Sequence, residues 1–345
     1  MPTKSATASP YIVGPVYDWV FFLGSPLLAL LAGMVMAGTP FADRPFDWYG
    51  WEVTGSGLLI GALIHAHLVL VFVRSHANRE IFRLHKLRFT LVPLALFALF
   101  CVSRPAIVVA ALVATFWDVY HSGMQTFGFG RIYEAKLGND QLAGRRLDWA
   151  LNQLLYAGPI VGGATMLAHF EDFETLADIG AAAFARVPVW MTGHQARLAE
   201  LVIGGGTLFV AYYVIAAIRR RRAGQRVAWL KVVLYAGTGL TSIYTWGFNS
   251  WGEAFFIMNA FHAVQYFALV WATEREGLLR TLGLGRSPLA RAALLVVFVG
   301  LPALYGLWVV YFDPAVQVLW ALTLVVSLMH FWYDGFIWSV RKRAV

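Results

Sequence analysis

Residues 327–345 read SLMHFWYDGFIWSVRKRAV. The run is apolar and aromatic apart from His330 and Asp334, and it stops at Arg341, Lys342 and Arg343. An apolar helix that ends in Lys and Arg reads as a membrane span meeting the cytoplasmic headgroups. An ionisable side chain inside a span costs about 3 kcal/mol or more unless it faces a polar interior. His330 and Asp334 are four apart and share one helical face. The fold turns on whether the rest of the chain also spans a membrane, and the function on whether other spans supply partners for this pair.

Composition answers the first point. Of 345 residues 59% are hydrophobic and only 13% charged, with a mean hydropathy of +0.63. Soluble domains carry about 25% charged residues, so the chain reads as an integral membrane protein. The net charge of +8 lies in short loops between apolar runs, where it orients helices and meets anionic lipid; nucleic acid is not expected as a partner. The single cysteine, Cys101, excludes an internal disulfide or a thiolate metal cluster. The apolar run after MPTKSATASP is long enough to span and stay, so it reads as a span, not a removable signal.

Taking about 20 residues per span, ten stretches can be placed: 16–37, 53–73, 87–103, 105–128, 148–168, 198–218, 228–247, 252–273, 290–311 and 314–339. A tight turn at SRP (103–105) must separate the third from the fourth. The loops test this count. Residues 74–88, 129–147, 219–226, 275–291 and 341–343 are basic, whereas 39–52 and 169–178 are acidic on balance and 247–253 and 312–314 have no Lys or Arg. Such alternation predicts an all-α polytopic bundle of about ten transmembrane helices with both termini cytoplasmic. The expectation is one transmembrane domain over 1–345, with 169–197 as an outer loop, in the bacterial inner membrane.

Nine histidines are present. His76, His85, His169 and His194 fall in loops. His65, His67, His121, His262 and His330 fall inside spans two, four, eight and ten. His67 precedes Arg74 by seven residues, His121 precedes Arg131 by ten, His262 precedes Arg275 by thirteen and His330 precedes Arg341 by eleven. At about 1.5 Å per residue these sites lie roughly 10–20 Å from one face of the membrane. Accidental placements would not share a level.

Companions share their faces. Asp118, His121 and Gln125 are spaced i, i+3, i+7, and Asn259, His262 and Tyr266 line one side of the eighth span with Gln265 close by. Carboxylate and histidine on facing helices is how helical bundles hold metal ions, the carboxylate acting as a ligand or orienting the imidazole. The expected metal set is His65 or His67, His121, His262, His330, Asp118 and Asp334. Gln125, Asn259, Gln265 and Tyr266 are expected around it. His65 and His67 point about 200° apart on a helix, so one of them is expected to be left out. Asp18 is expected to cap the first helix, Asn249 and Glu253 to sit at the rim, and Arg74, Arg131 and Arg341 to meet headgroups.

Imidazole with carboxylate suits iron, zinc, copper or manganese, and iron is favoured for oxygen chemistry with open positions. A site inside the bilayer is reached most easily by greasy molecules. The expectation is a non-haem metal oxidoreductase acting on a lipid-like or isoprenoid substrate, served by an electron-donor protein, with Trp117, Tyr120, Trp332 and Tyr333 shaping the substrate slot. Two alternatives use the same residues: a haem protein with axial histidines on facing helices, and a transporter with a proton or ion relay. Against the relay, no pair of Gly- or Pro-broken helices stands at matching positions in two halves.

The layout resembles that of the polytopic histidine-rich oxygenases, such as the membrane desaturases, alkane hydroxylases and bacterial carotene dioxygenases. The HxxxH and HxxHH clusters of the desaturases and hydroxylases are absent. WDVYHSGMQTFGFGRIY (117–133), FHAVQYFALVW (261–271) and HFWYDGFIWSVRK (330–342) are similar to segments of uncharacterised bacterial membrane proteins. That resemblance covers about half of the chain and carries no activity, so no residue's role is transferred.

Overall fold

Ser103 ends one long helix and begins the next. Its hydroxyl accepts the Ala106 amide at 3.4 Å, with Pro105 in the first turn, where its missing N–H costs nothing. The tight turn expected at SRP is therefore one capping residue. Thr54, Asn78 and Ser250 cap other helices in the same way. Glu253 also accepts from the Ser250 hydroxyl, and Asn249 bonds back to Tyr244 and Thr245 carbonyls. The expected rim residues thus close helix ends.

The computed structural model describes residues 9–48, 50–170, 182–183, 186–311 and 316–338. In chain order the helices are α1 (Pro15–Asp18), α2 (Ser25–Met36), α3 (Pro40–Asp43), α4 (Gly55–Val69), α5 (Arg79–Val102), α6 (Arg104–Lys136), α7 (Arg145–Gly162), α8 (Met166–Phe170), α9 (Val187–Arg222), α10 (Trp229–Phe248), α11 (Trp251–Thr281), α12 (Pro288–Tyr311) and α13 (Gln317–Ile337). π-helical turns at Trp19–Leu23 and Val73–Ala77 follow α1 and α4. A small antiparallel hairpin pairs β1 (Phe46–Trp48) with β2 (Trp51–Val53). The described residues are all-α apart from this hairpin.

Among the described residues seven helices are long and apolar enough to cross a membrane, and the bent pair Pro15–Leu23 with Ser25–Met36 makes up to eight. The apolar window of Val189–Arg222 has none of its residues buried in the protein. An apolar surface of this kind is compatible with a membrane around it. Two of the ten expected stretches, 148–168 and 228–247, became α7 and α10. They are less apolar because they face a buried polar network. Asp148, fully buried, takes Arg131 at 2.5 Å, the Tyr213 hydroxyl at 2.7 Å and Lys231 at 3.3 Å, and Lys231 also pairs with Glu134. Arg131 is thus tied inside the protein and does not meet headgroups. Arg74 is likewise buried, paired with Glu274. Arg341 lies outside the described residues.

Other expectations need revision. Helix α9 begins at Val187, inside the segment read as an outer loop. Asp18 does not cap its own helix; its carboxylate accepts the amides of Ile12, Val13 and Gly14 at 2.7–3.2 Å and the Tyr133 hydroxyl at 3.0 Å. It folds the preceding segment back onto the bundle. The first span, expected to be continuous, is broken by 52° at Gly24, where Ser25 and Pro26 follow and Pro26 lacks the N–H that would continue the helix.

The helices that matter for the site are neighbours. Helix α4 packs against α11, α12 and α13, and α13 also packs against α5 and α6. The α4–α12 approach is close: a Cβ at Gly306 would meet the Ala62 carbonyl oxygen at 2.0 Å. Only glycine lets these backbones come so near.

Candidate metal centre

Four imidazoles meet inside the bundle, one each from α4, α6, α11 and α13. His67, His121, His262 and His330 are all buried, none more than 4% exposed. Their rings form a closed circuit. Centroids are 5.1 Å apart for His67–His262, 5.2 Å for His262–His121, 4.8 Å for His121–His330 and 4.9 Å for His330–His67. Every neighbouring pair is steeply inclined, between 69° and 90°.

Hydrogen bonding divides the four. His330 Nδ1 lies 3.1 Å from the Leu68 carbonyl oxygen. A carbonyl only accepts, so Nδ1 carries the proton and Nε2 keeps its lone pair. That bond to a backbone carbonyl is the usual way a metal-binding imidazole is oriented. With that tautomer His330 Nε2 accepts a hydrogen bond from His121 Nε2 at 3.1 Å. His67 and His262 are different: no ring nitrogen of either meets hydrogen-bond geometry with a partner among the described residues, although the His67 ring lies near the Ile64 and Leu63 carbonyls of its own helix. Buried polar atoms are nearly always paired, so these two rings are the anomaly of the site.

Asp334 approaches from one side. Its Oδ2 lies 3.7 Å from His330 Nε2 and 3.8 Å from His121 Nε2. Its Oδ1 accepts the Tyr266 hydroxyl and the Trp338 indole N–H, each at 2.9 Å. Trp338 in turn lies under the Arg74 guanidinium, 3.9 Å from its carbon to the ring centroid. Arg74 donates to the Ile337 carbonyl and is paired with Glu274, which also accepts from Asn78 at 3.0 Å. The carboxylate is therefore held by a chain of contacts from the π-helical turn after α4 through α13 to α11.

Two triads could hold an ion, with ligand atoms within 4.8 Å of one another: His67, His262 and His330, and His121, His330 and Asp334. They share His330. Imidazole nitrogens about 2.0–2.1 Å from a common ion place neighbouring ring centroids roughly 5 Å apart, which is the spacing seen. The second triad has two histidines and one carboxylate, a donor set that suits iron with open positions.

The other expected residues fall as follows. His65 bonds the Gly61 carbonyl of its own helix at 2.8 Å and stays out of the cluster, which leaves His67 as the contribution of α4. Asp118 joins neither triad and makes no hydrogen bond among the described residues. Asn259 bonds its own helix at the Phe255 carbonyl. Gln125 donates to the His262 carbonyl and to Gln265, and Gln265 donates to the Phe22 carbonyl at 2.9 Å. The two glutamines therefore join α6, α11 and the broken first helix instead of touching the triads. Tyr266 does reach the site, through Asp334. Trp117, Tyr120 and Trp332 line a cavity beside His121, but Tyr333 is fully buried against Phe89, with 4.7 Å between ring centroids. Trp338, Arg74 and Glu274 were missed by the sequence reading. Trp338 is four residues after Asp334, so helical spacing alone could have found it.

Comparison of the chain with protein-family models, curated proteins and solved structures finds no match.

Proposed function

We propose that this chain is a membrane-embedded non-haem metal oxidoreductase, with iron as the ion and a lipid-like or isoprenoid substrate. One observation carries the reading: imidazoles from four helices converge in an apolar bundle, and two of them have no ring nitrogen in hydrogen-bond geometry with a partner among the described residues. Bound iron would supply dioxygen activation. His121, His330 and Asp334 would hold it on the cavity side, with His67 and His262 completing the set or holding a second ion through shared His330. The cavity reaches His121 and Asp334, so the bound ion would keep an open side, as catalytic sites do. Tyr266 and Trp338 would keep the carboxylate aimed inward.

The same reading places ten spans with both termini in the cytoplasm of a bacterial inner membrane, and an electron-donor protein as partner. Haem is less well supported: rings about 5 Å apart on every side leave little room for a porphyrin between axial ligands. A relay transporter could use the break at Gly24, because unwound carbonyls coordinate ions in such proteins. Here the Phe22 carbonyl is already taken by Gln265. Elemental analysis of the purified protein, with an absorption spectrum, is the direct test. Iron at one or two per chain supports the reading and counts the ions. A metal-free preparation that stays metal-free after loading with ferrous iron overturns it, and a Soret band would favour haem.

A further inference from the structure

A cavity of about 420 Å3 lies against the His121–Asp334 side of the cluster. It follows α6 from Trp117 past His121 to Arg131 and ends at Gln141 and Arg145. Arg131 is committed to Asp148 and to the Gln141 carbonyl. Arg145 is not. It is exposed, its guanidinium carbon lies 5.8 Å from the Phe127 ring centroid, and no carboxylate forms an ion pair with it among the described residues. One end of the cavity therefore carries a free positive charge.

The other end meets a second hollow. This one, of about 660 Å3, lies between α5, α6 and α13 and is walled by Leu96, Val109, Val113, Leu328 and similar apolar side chains, with no charged residue. Trp117 and Trp332 line both hollows. The two indoles thus stand where a polar-ended chamber passes into an apolar groove, one turn from His121.

We infer that the pair of hollows takes a single-chain amphiphile with an anionic head, a long-chain carboxylate, laid along α6. Its head meets Arg145, its chain passes His121 and Asp334, and its tail crosses Trp117 and Trp332 into the apolar groove. The charge sits at one end only, which sets the direction. Phe127, over whose ring Arg145 stands, is six residues past His121, about 9 Å along a helix. The bonds brought to the metal ligands are therefore in the middle of the chain, away from the head. This assignment names the substrate class of the proposed metal site and rests on that reading for its chemistry, but not for binding.

The test is photolabelling of the purified full chain in zwitterionic nanodiscs. The probe is a palmitate analogue with a diazirine at mid-chain, and labelled residues are mapped by mass spectrometry. Labelling is expected at Met124, Phe331 or Trp332. It should be competed by palmitate, but not by methyl palmitate or a two-chain zwitterionic phospholipid. Arg145→Glu should lower it about tenfold, the loss of one charge-assisted contact, and Arg145→Lys should restore most of it. Val113→Trp should exclude the palmitate probe while a decanoate probe still binds. Labels spread over lipid-facing residues such as Leu94 and Leu201, or equal competition by the methyl ester, overturn the assignment. Metal content is measured on the same preparations. Labelling without metal defeats the oxidoreductase reading alone, and metal without labelling defeats this one alone.

Discussion

His67 stands edge-on to His262, with 5.1 Å between ring centroids, and neither ring has a nitrogen in hydrogen-bond geometry with a partner among the described residues. Each buried polar group left unpaired costs about 1–3 kcal/mol. Two such rings side by side would drain stability from the bundle unless something binds both. An ion that binds only the folded chain returns that stability.

Metal removal is therefore expected to destabilise the protein. Chelation should lower the unfolding temperature of the wild-type chain. The His67→Leu, His262→Leu double variant should lose the metal yet unfold no lower than the stripped wild type, because removing both orphaned rings together is close to neutral. If stripped and loaded wild type unfold at the same temperature, the orphaned rings do not hold an ion.

Asp334 is positioned by two donors, and one of them can be removed without touching a ligand. Trp338→Phe deletes the indole N–H that donates to Oδ1 at 2.9 Å and keeps a ring beneath Arg74. Outer partners of metal ligands typically change affinity by about 10–100-fold. A chelator-competition titration should show a drop in that range for Trp338→Phe and a larger one for Asp334→Ala. Unchanged affinity in both would leave Asp334 as a packing residue.

Arg74 and Glu274 form a buried pair, with side chains only 4% and 7% exposed. Breaking such a pair leaves a buried charge and costs about 3–5 kcal/mol, whereas replacing both partners by apolar side chains is often neutral. Glu274→Gln should destabilise by about that amount in detergent unfolding, and Arg74→Met with Glu274→Met should recover most of it. A mild effect from Glu274→Gln would mean that Arg74 finds compensation elsewhere.

The long apolar helices and the four that carry the clustered histidines were legible because each rests on a local pattern. Apolar length marks a span, and the distance from His67, His121, His262 and His330 to the next basic residue marks a depth. The structure places these four side chains in one cluster. What local pattern could not supply is rotation and partnering. Asp118 and Asp334 each share a helical face with a histidine, yet only Asp334 turns to the cluster. Gln125 and Gln265 looked like site residues because polar groups in spans are rare, but Gln265 satisfies the Phe22 carbonyl at the Gly24 break and Gln125 bonds Gln265 and the His262 carbonyl. Arg74 and Arg131 resembled headgroup anchors because Glu274 and Asp148 lie 200 and 17 residues away in sequence. The less apolar α7 and α10 blur the span count for the same reason: their polar residues have partners that one-dimensional hydropathy does not see.

Topology is tested separately from the metal. The stretch 169–178 is acidic and 219–226 is strongly basic, so a reporter fused after residue 180 should read as external and one fused after 224 as cytoplasmic. The two positions flank α9. Opposite readings would confirm that this helix crosses the membrane and would set its direction. Identical readings at both positions would remove that crossing, and with it the common depth assigned to the histidines.

The histidines outside the cluster are internal controls. His65 bonds the Gly61 carbonyl, His194 the Trp190 carbonyl at 2.8 Å, and His169 the Trp246 carbonyl at 2.7 Å. His76 lies 2.8 Å from the Ser75 hydroxyl and 3.2 Å from the Phe89 carbonyl, and the ring of His85 packs on Phe336 at 4.7 Å. Each is engaged by its own surroundings and needs no ion. Alanine at His65, His76, His85, His169 or His194 should leave the metal-to-protein ratio unchanged, even where stability falls by the roughly 0.5–1.5 kcal/mol of a lost hydrogen bond. Alanine at His121, His262 or His330 should abolish bound metal, and His67→Ala should do the same because α4 has no substitute within reach. Stability and metal content thus separate the two groups: the first can change the former without the latter. Metal loss in His76→Ala or His194→Ala, with the four clustered histidines intact, would move the site out of the bundle. Full metal retention in His121→Ala and His262→Ala would leave four imidazoles that merely pack.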